Sequence, residues 1–349
     1  MRNKILLAIL ILLVIGLGAL LAIKIVDTKE LESSKKTVDA SEGVDNSTMT
    51  VGIEDKVVPK SKYDGNKRTI AVVIDNVGDA VPQTGLNEAM IVYEAVVEGS
   101  LTRFLAVYKD PQIDQIGPSR SARPYFIDYA IENDSIFVHF GGSDKALAEV
   151  KSLGIDNANG IESPGKVFSR TNKKKAPHNA LVNVKEVWNY AETKKYRTNT
   201  TQRNVLNYVT DEVELADGSE ANSVTIPFLK GKVKFVYNAE KKVYERYVAN
   251  QLQKDWLTGE VLTAKNIIVT LANYQTTSEE NNYGRQAIQN VGTLDGYYIT
   301  DGKAIKIKCK KTSRSAKTEY QDLEGNEIKV NDGNTYIEIA PTNFQITFE

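Results

Sequence analysis

The chain has 349 residues, and its 44 Lys and Arg against 45 Asp and Glu leave a formal net charge of −1. This balance, with Lys173-Lys174-Lys175 as its longest basic run, argues against a nucleic-acid partner. Cys309 is the single cysteine, so an internal disulfide is excluded and no cysteine is available for lipid attachment near the amino terminus.

An apolar segment opens the chain, running from Ile5 to Ile23 without a charged residue. In a helix this length spans roughly the hydrocarbon core of a bilayer. The run exceeds the apolar region of a secretory signal, and no A-x-A cleavage site follows it. We therefore predict an uncleaved transmembrane signal-anchor over residues 1–26, with the amino terminus inside and the bulk of the chain outside the cell membrane.

Residues 27–61 are polar and contain no Trp or Phe before the folded part begins. Such a segment buries too little apolar surface to offset its ordering entropy, so we predict a disordered tether. The tether would let the folded part stand off the membrane, within reach of envelope polymers.

The first folded part, residues 62–200, alternates apolar runs with helical patterns. A buried strand is predicted over 69–74, a short helical stretch over 86–89, and a hairpin from strands over 90–97 and 101–108. A helix capped by Ser121, a strand over 135–140 and a helix over 144–153 follow. This alternation predicts an α/β domain built on a mixed sheet.

Residues 201–220 form a predicted connecting segment, and residues 221–349 a second domain, β-rich and mostly antiparallel. Glycine- and asparagine-containing turns separate its apolar runs, which is typical of hairpins. The strands are predicted over 232–237, 243–248, 266–271, 296–300, 304–310, 318–321 and 335–339.

Polar residues follow the predicted strands of the first domain, where open α/β sheets bind ligands. Asp75 and Asn76 end one strand, Glu98 ends another, and His139 stands before a Gly-Gly-Ser sequence. Ser143 closes that sequence and is placed to cap a helix whose first N–H groups would face an anion.

We predict that these residues form one cleft. Asp75 or Glu98 would act as base or nucleophile and His139 as the acid on a glycosidic bond. The predicted ligand-binding residues are Asn76, Glu94, Arg103, Arg120, Arg123, Ser143, His178 and Asn179. Arginines fork onto carboxylates and phosphates, and histidine moves protons near neutral pH.

A structural alternative remains open for each of these residues. Glu94 and Arg103 would then pair across the hairpin, and Arg120 and Arg123 would cap loops. No close-spaced metal-ligand motif is present, so neither a metal nor another cofactor is expected.

Several segments of the folded part resemble the YerB-like family of bacterial envelope lipoproteins, which has paired amino- and carboxy-terminal domains of unknown function. The matching segments are RTIAVVIDN at 68–76, IVYE at 91–94, VEG at 97–99, TRF at 102–104, IGPSRSAR at 116–123, HFGGS at 139–143 and APHN at 176–179. The resemblance implies an envelope location and no established reaction. Family members carry a lipid-modified cysteine, whereas this chain has an apolar anchor in its place.

Three functions follow as alternatives. The leading one is binding of an anionic envelope ligand, either a peptidoglycan fragment, a wall polymer or a wall-synthesis protein. The second is a hydrolase or lyase that acts on envelope glycan, and the third is a protein-interaction scaffold without a small-ligand site.

Overall fold

The computed structural model describes residues 61–162, 165–228, 231–278 and 284–349. The predicted signal-anchor and all of the predicted tether except Ser61 lie outside these ranges. Among the described residues, no helix combines the length and the apolar character needed to cross a bilayer. All described residues belong to one compact unit.

The first half of the described chain contains all three of its α-helices. The strands are β1 (Ile70–Asp75), β2 (Ile91–Glu98), β3 (Leu101–Tyr108), β4 (Gln115–Ile116), β5 (Ile136–His139), β6 (Asn157–Asn159), β7 (Phe168–Arg170) and β8 (Ala180–Asn183). The helices are α1 (Pro124–Glu132), α2 (Asp144–Ser152) and α3 (Val184–Thr193), with 3-10 turns at Gly78–Ala80 and Leu86–Glu88.

The second half consists of strands and turns in its described residues. Its strands are β9 (Tyr208–Val209), β10 (Ser219–Glu220), β11 (Ser223–Ile226), β12 (Val233–Asn238), β13 (Val243–Val248), β14 (Gln251–Leu252), β15 (Thr263–Ala264), β16 (Asn266–Thr276), β17 (Gln286–Gln289), β18 (Gly292–Thr300), β19 (Lys303–Lys311), β20 (Glu319–Gln321), β21 (Val330–Asn331), β22 (Thr335–Pro341) and β23 (Thr347–Phe348).

One large sheet joins the two halves. Its order is β10-β19-β18-β16-β22-β2-β3-β1-β5-β6, with β17 attached to β16 and β20 to β19. The junction is the parallel pairing of β2 with β22, from Ile91 opposite Thr335 to Ala95 opposite Ile339. Strands from both predicted domains therefore belong to a single sheet.

Each face of this sheet carries its own core. On one face, Val72, Val92 and Phe104 pack with Phe235 and Tyr244 of a second sheet, ordered β14-β13-β12-β11-β23 with β15 on β13. On the other face, alternate residues such as Val73 and Phe137 pack with side chains of α1 and α2. Because successive strand residues point to opposite faces, central strands buried on both sides read as continuous apolar runs.

For the described residues the predicted fold class is confirmed: a mixed α/β first half is followed by a mostly antiparallel second half. Strands over 101–108 and 243–248 have the predicted bounds. The helix predicted from Ser121 begins instead at Pro124, because Arg123 is extended and the Ser121 hydroxyl bonds the Phe140 carbonyl rather than capping the helix.

Three ionisable side chains are buried where the halves meet. Glu94 and Glu338 lie opposite each other on β2 and β22, and Arg246 of β13 donates to Glu94 Oε2 over 2.7 Å. Burial raises the pKa of Glu338 well above its usual range, the charge of Glu94 adds to this, and Arg246 opposes it. Glu338 thus keeps its proton at neutral pH, and one carboxylate faces one guanidinium.

We predict that Glu338→Gln stabilises the protein at neutral pH and flattens its stability profile. With the pKa of Glu338 raised in the folded state, that state binds the extra proton, so stability falls as pH rises above the ordinary glutamic acid range. The expected contribution is about 1.4 kcal/mol of unfolding free energy per pH unit between the two pKa values. Urea unfolding of the wild type and the variant from about pH 5 to 8 measures this contribution. The variant lacks it, because a glutamine side chain does not titrate.

Glu240→Gln is the matched control, because Glu240 is exposed in the turn between β12 and β13. This variant should keep the wild-type pH slope. The prediction fails if Glu338→Gln keeps that slope as well.

Candidate functional site

A groove of about 970 Å³ lies where β1 and β2 end, β3 begins and the second sheet approaches. Its polar lining includes the side chains of Asn76, Glu94, Thr102, Arg120, His178 and Lys254. Its apolar walls include Pro82, Leu101, Phe228, Val233, Val248 and Leu252. Both halves of the chain are therefore needed to build it.

Asp75 is held immediately behind the groove. Its backbone N–H donates to the Pro118 carbonyl over 2.8 Å, and its own carbonyl accepts from Gln83 Nε2 over 3.0 Å. The side chain, only 1% exposed, accepts from His178 Nδ1 at Oδ2 over 2.7 Å. Arg120 Nε lies 3.3 Å from the same oxygen. Asp75, Arg120 and His178 are thus brought together in the structure.

The floor of the groove is a hydrogen-bonded row of polar groups. Asn76 Nδ2 donates to Glu94 Oε1 and to Thr102 Oγ1, and the Thr102 hydroxyl donates to Glu94 Oε1 over 2.6 Å. Since Arg246 takes the second carboxylate oxygen, Glu94 is fully engaged. This differs from the alternative in which Glu94 pairs with Arg103.

Glu98 lies in a separate network of buried charges. Arg103 Nη2 approaches Glu98 Oε2 at 3.3 Å, and Arg123 contacts Glu98 Oε1. Burial lowers the pKa of both Arg103 and Arg123 to about 10. A carboxylate shared by two guanidinium groups is a poor base, so the contacts favour a structural role for Glu98.

His139 does not join Asp75 in the described contacts. It is fully buried at the end of β5, its Nδ1 bonds the Gly141 carbonyl over 2.7 Å, and its ring stacks on Phe137. Burial lowers the pKa of His139, which keeps the imidazole neutral and disfavours the predicted acid role. The partner of Asp75 is the other histidine, His178.

Ser143 and Asn179 hold local structure. The Ser143 hydroxyl accepts from the Ala146 N–H over 3.2 Å, so this serine caps α2 as predicted. Together with Arg123, it lines a smaller cavity of about 360 Å³ away from the groove. Asn179 accepts from Arg170 over 2.5 Å and donates to the Thr171 carbonyl, closing the loop that carries His178.

Sequence reasoning missed Arg246, Glu338 and Gln83. The alternation in β13 could have flagged Arg246, because it shares a face with the buried Tyr244. Glu338 stands inside an apolar run, which signals a buried carboxyl that needs a partner. Gln83 gave no signal, since its role as a bridge to Asn76 Oδ1 depends on loop geometry. Among the described residues no cluster of His, Cys, Asp or Glu has the geometry to hold a metal.

The fold and the site define an α/β protein whose two halves close over a groove at the ends of a shared sheet. Models of the family described as protein of unknown function DUF3048 match residues 57–197 with its N-terminal domain and 224–337 with its C-terminal domain. The chain belongs to this family.

Two findings concern a Bacillus subtilis relative. The chain is 30% identical over 287 residues to a protein named "Putative lipoprotein YerB". The aligned region covers 79% of this chain and 82% of that protein. The crystal structure of YerB from the same species matches with a TM-score of 0.72 and 28% identity, over 81% of this chain and 94% of that chain. The predicted family resemblance is confirmed.

We predict that Glu98→Gln lowers the free energy of unfolding by about 2 kcal/mol, because two buried guanidinium groups lose their counter-charge. Chemical denaturation at pH 7 measures the loss. Asp295→Asn is the control: its ion pair with Lys308 is solvent-exposed, so the change should stay below about 1 kcal/mol. Equal effects of the two substitutions would contradict a structural role for Glu98.

Proposed function

We propose that the chain is a membrane-anchored, extracytoplasmic protein of a bacterial cell envelope that binds an anionic envelope ligand in the groove. The apolar segment 5–23 would provide the anchor. A relative named as a lipoprotein supports the envelope location, because a lipid anchor and an apolar helix both tether a protein to a membrane.

The placement of the groove's charges carries this proposal. Arg120, with 28% of its side chain exposed, and His178, with 22%, both line the groove, and the exposed Lys254 lines it too. The carboxylates nearby are already balanced, since Glu94 is paired with Arg246 and Asp75 with Arg120. The remaining positive charge of Lys254 favours an anion.

The apolar walls add a second requirement for the ligand. Leu101, Phe228 and Val248 offer surface to a carbon skeleton beside the charged group. A wall fragment that combines carboxylate or phosphate groups with sugar and peptide carbon would use both parts. A glycan hydrolase built on Asp75, Glu98 and His139 gains no support, because the contacts hold these residues in three separate settings.

We predict that Arg120→Gln weakens binding of soluble wall fragments about tenfold, the loss of roughly 1.4 kcal/mol expected for a charge-assisted hydrogen bond. Titration calorimetry on the detergent-purified full chain measures the dissociation constant, and a thermal melt confirms that the variant is folded.

Arg203→Gln is the matched control. Arg203 is an exposed arginine that pairs with Glu327 and does not line the groove. It should bind like the wild type. Unchanged affinity in Arg120→Gln, or an equal loss in both variants, would contradict a ligand site in the groove.

A further inference from the structure

The imidazole of His178 is fixed in one tautomer by its contact with Asp75. A carboxylate only accepts hydrogen bonds, so the 2.7 Å contact makes Nδ1 the donor and leaves a lone pair on Nε2 of the neutral ring. In the described structure Nε2 has no protein partner, and the side chain lines the groove. The basic nitrogen of this ring is therefore available to the groove.

The pair is held from several directions. The two residues are separated by 103 positions in the chain, so the contact is tertiary. Asp75 is fixed through its backbone at the end of β1, and the backbone N–H of His178 donates to the Lys175 carbonyl over 2.9 Å. Such a support restricts the ring to one orientation, as a proton-transfer group requires.

Arg120 supplies a cation beside this base. Its Nε lies 3.3 Å from the carboxylate oxygen that binds His178, and part of its side chain reaches the groove. A fixed positive charge next to a general base is suited to stabilise an oxyanion that develops during reaction.

Among the described residues, no hydroxyl forms a hydrogen bond with the imidazole of His178. Two serines flank Arg120: the Ser119 Oγ is buried and makes no hydrogen bond with any described residue, and the Ser121 hydroxyl donates to the Phe140 carbonyl. We therefore take water as the nucleophile, since a single histidine can activate it.

We propose that His178 is a general base that hydrolyses a carboxylic ester bound in the groove. Asp75 acts as its positioning residue and Arg120 as the partner of the oxyanion. The inference rests on the proposed ligand site and adds a reaction to it.

The steps balance with water as the only co-reactant. His178 Nε2 takes a proton from water while the water oxygen bonds to the carbonyl carbon, and the oxyanion that forms faces Arg120. When the tetrahedral intermediate collapses, the bond to the alcohol oxygen breaks and that oxygen takes the proton back from Nε2. The products are one alcohol and one carboxylic acid.

An ester fits a single imidazole better than other hydrolysable bonds do. In acyl transfer the same imidazole takes the proton and later returns it to the leaving group. In-line displacement at phosphorus places the leaving group on the far side, where a second acid is needed. Glycoside hydrolysis needs two carboxyl groups, and Glu94 is occupied by Asn76, Thr102 and Arg246.

The test uses the detergent-purified full chain with p-nitrophenyl butyrate, whose acyl chain suits the apolar walls, and a pH-stat assay on purified bacterial cell walls. The wild type should release nitrophenol and acid. His178→Ala should lose about a hundredfold or more in kcat, and added imidazole should restore part of it. Asp75→Asn should lower kcat at least tenfold with KM unchanged, as expected for a positioning residue.

Asp79→Asn is the matched control. Asp79 is an exposed carboxylate in the segment that follows Asp75, and it lies outside the groove's described lining. It should hydrolyse the ester at the wild-type rate. Wild-type hydrolysis no faster than that of His178→Ala on both substrates would overturn the proposal, and so would a His178→Ala defect that imidazole does not rescue.

Failure of this proposal can be distinguished from failure of the proposed function. Wall-fragment binding that depends on Arg120 without any hydrolysis removes the reaction and leaves the ligand site. Absence of both binding and hydrolysis removes both.

Discussion

The parallel pairing of β2 with β22 determines how the rest of the molecule is arranged. It places β22, a strand late in the chain, in the middle of the large sheet, with β16 on one side of it and β2 on the other. Once these strands are neighbours, Glu94 and Glu338 must lie side by side. Arg246 then reaches them from the second sheet, so three distant segments meet at one point.

This junction would be electrostatically costly if both carboxylates were ionised, and a proton on Glu338 avoids that cost. Two ionised carboxylates buried against one guanidinium would leave a net negative charge without solvent, which costs several kcal/mol. Keeping Glu338 neutral leaves one anion and one cation, and the aromatic rings of Phe104 and Phe235 surround the Arg246 guanidinium at 5.2 and 6.0 Å. The junction therefore holds one buried ion pair, between Arg246 and Glu94, at the expense of stability at higher pH.

Across the candidate site, charges that are buried and paired inside the fold can be separated from charges that reach the groove. Glu94, Glu98 and Arg103 each have at least two polar contacts inside the fold and little exposure, so their charges are already used. Arg120 and His178 share one anchor, Asp75, and each keeps part of its side chain in the groove. Two polar groups on this side of the groove are therefore partly exposed, and both contact Asp75.

Much of the fold could be predicted from sequence, because strand period, hairpin turns and helix caps are local. The bounds of β3 and β13 followed from alternation and turn residues alone. The β2–β22 pairing could not be predicted, because parallel neighbours separated by more than two hundred residues leave no local pattern. The sequence offered little basis for choosing between the histidines for a related reason: both stand next to Gly- or Pro-containing segments, and only His178 is brought to Asp75 by tertiary contacts. Alternation in β5 does place His139 on the face of Phe137, which packs under helices, and that signal was available.

The loop carrying His178 depends on the second half of the chain as well as the first. Lys174 donates to the Ala80 carbonyl over 3.1 Å, and its ammonium lies 4.8 Å from the centre of the Trp256 ring. The backbone N–H of Trp256 in turn donates to the backbone carbonyl of Gln83. The side-chain Nε2 of Gln83 donates to the Asp75 carbonyl and to Asn76 Oδ1. Residues from both family domains thus position the Asp75–His178 pair. An isolated first domain would keep the residues of the pair but lose part of what orients them, so the site is a property of the two domains together.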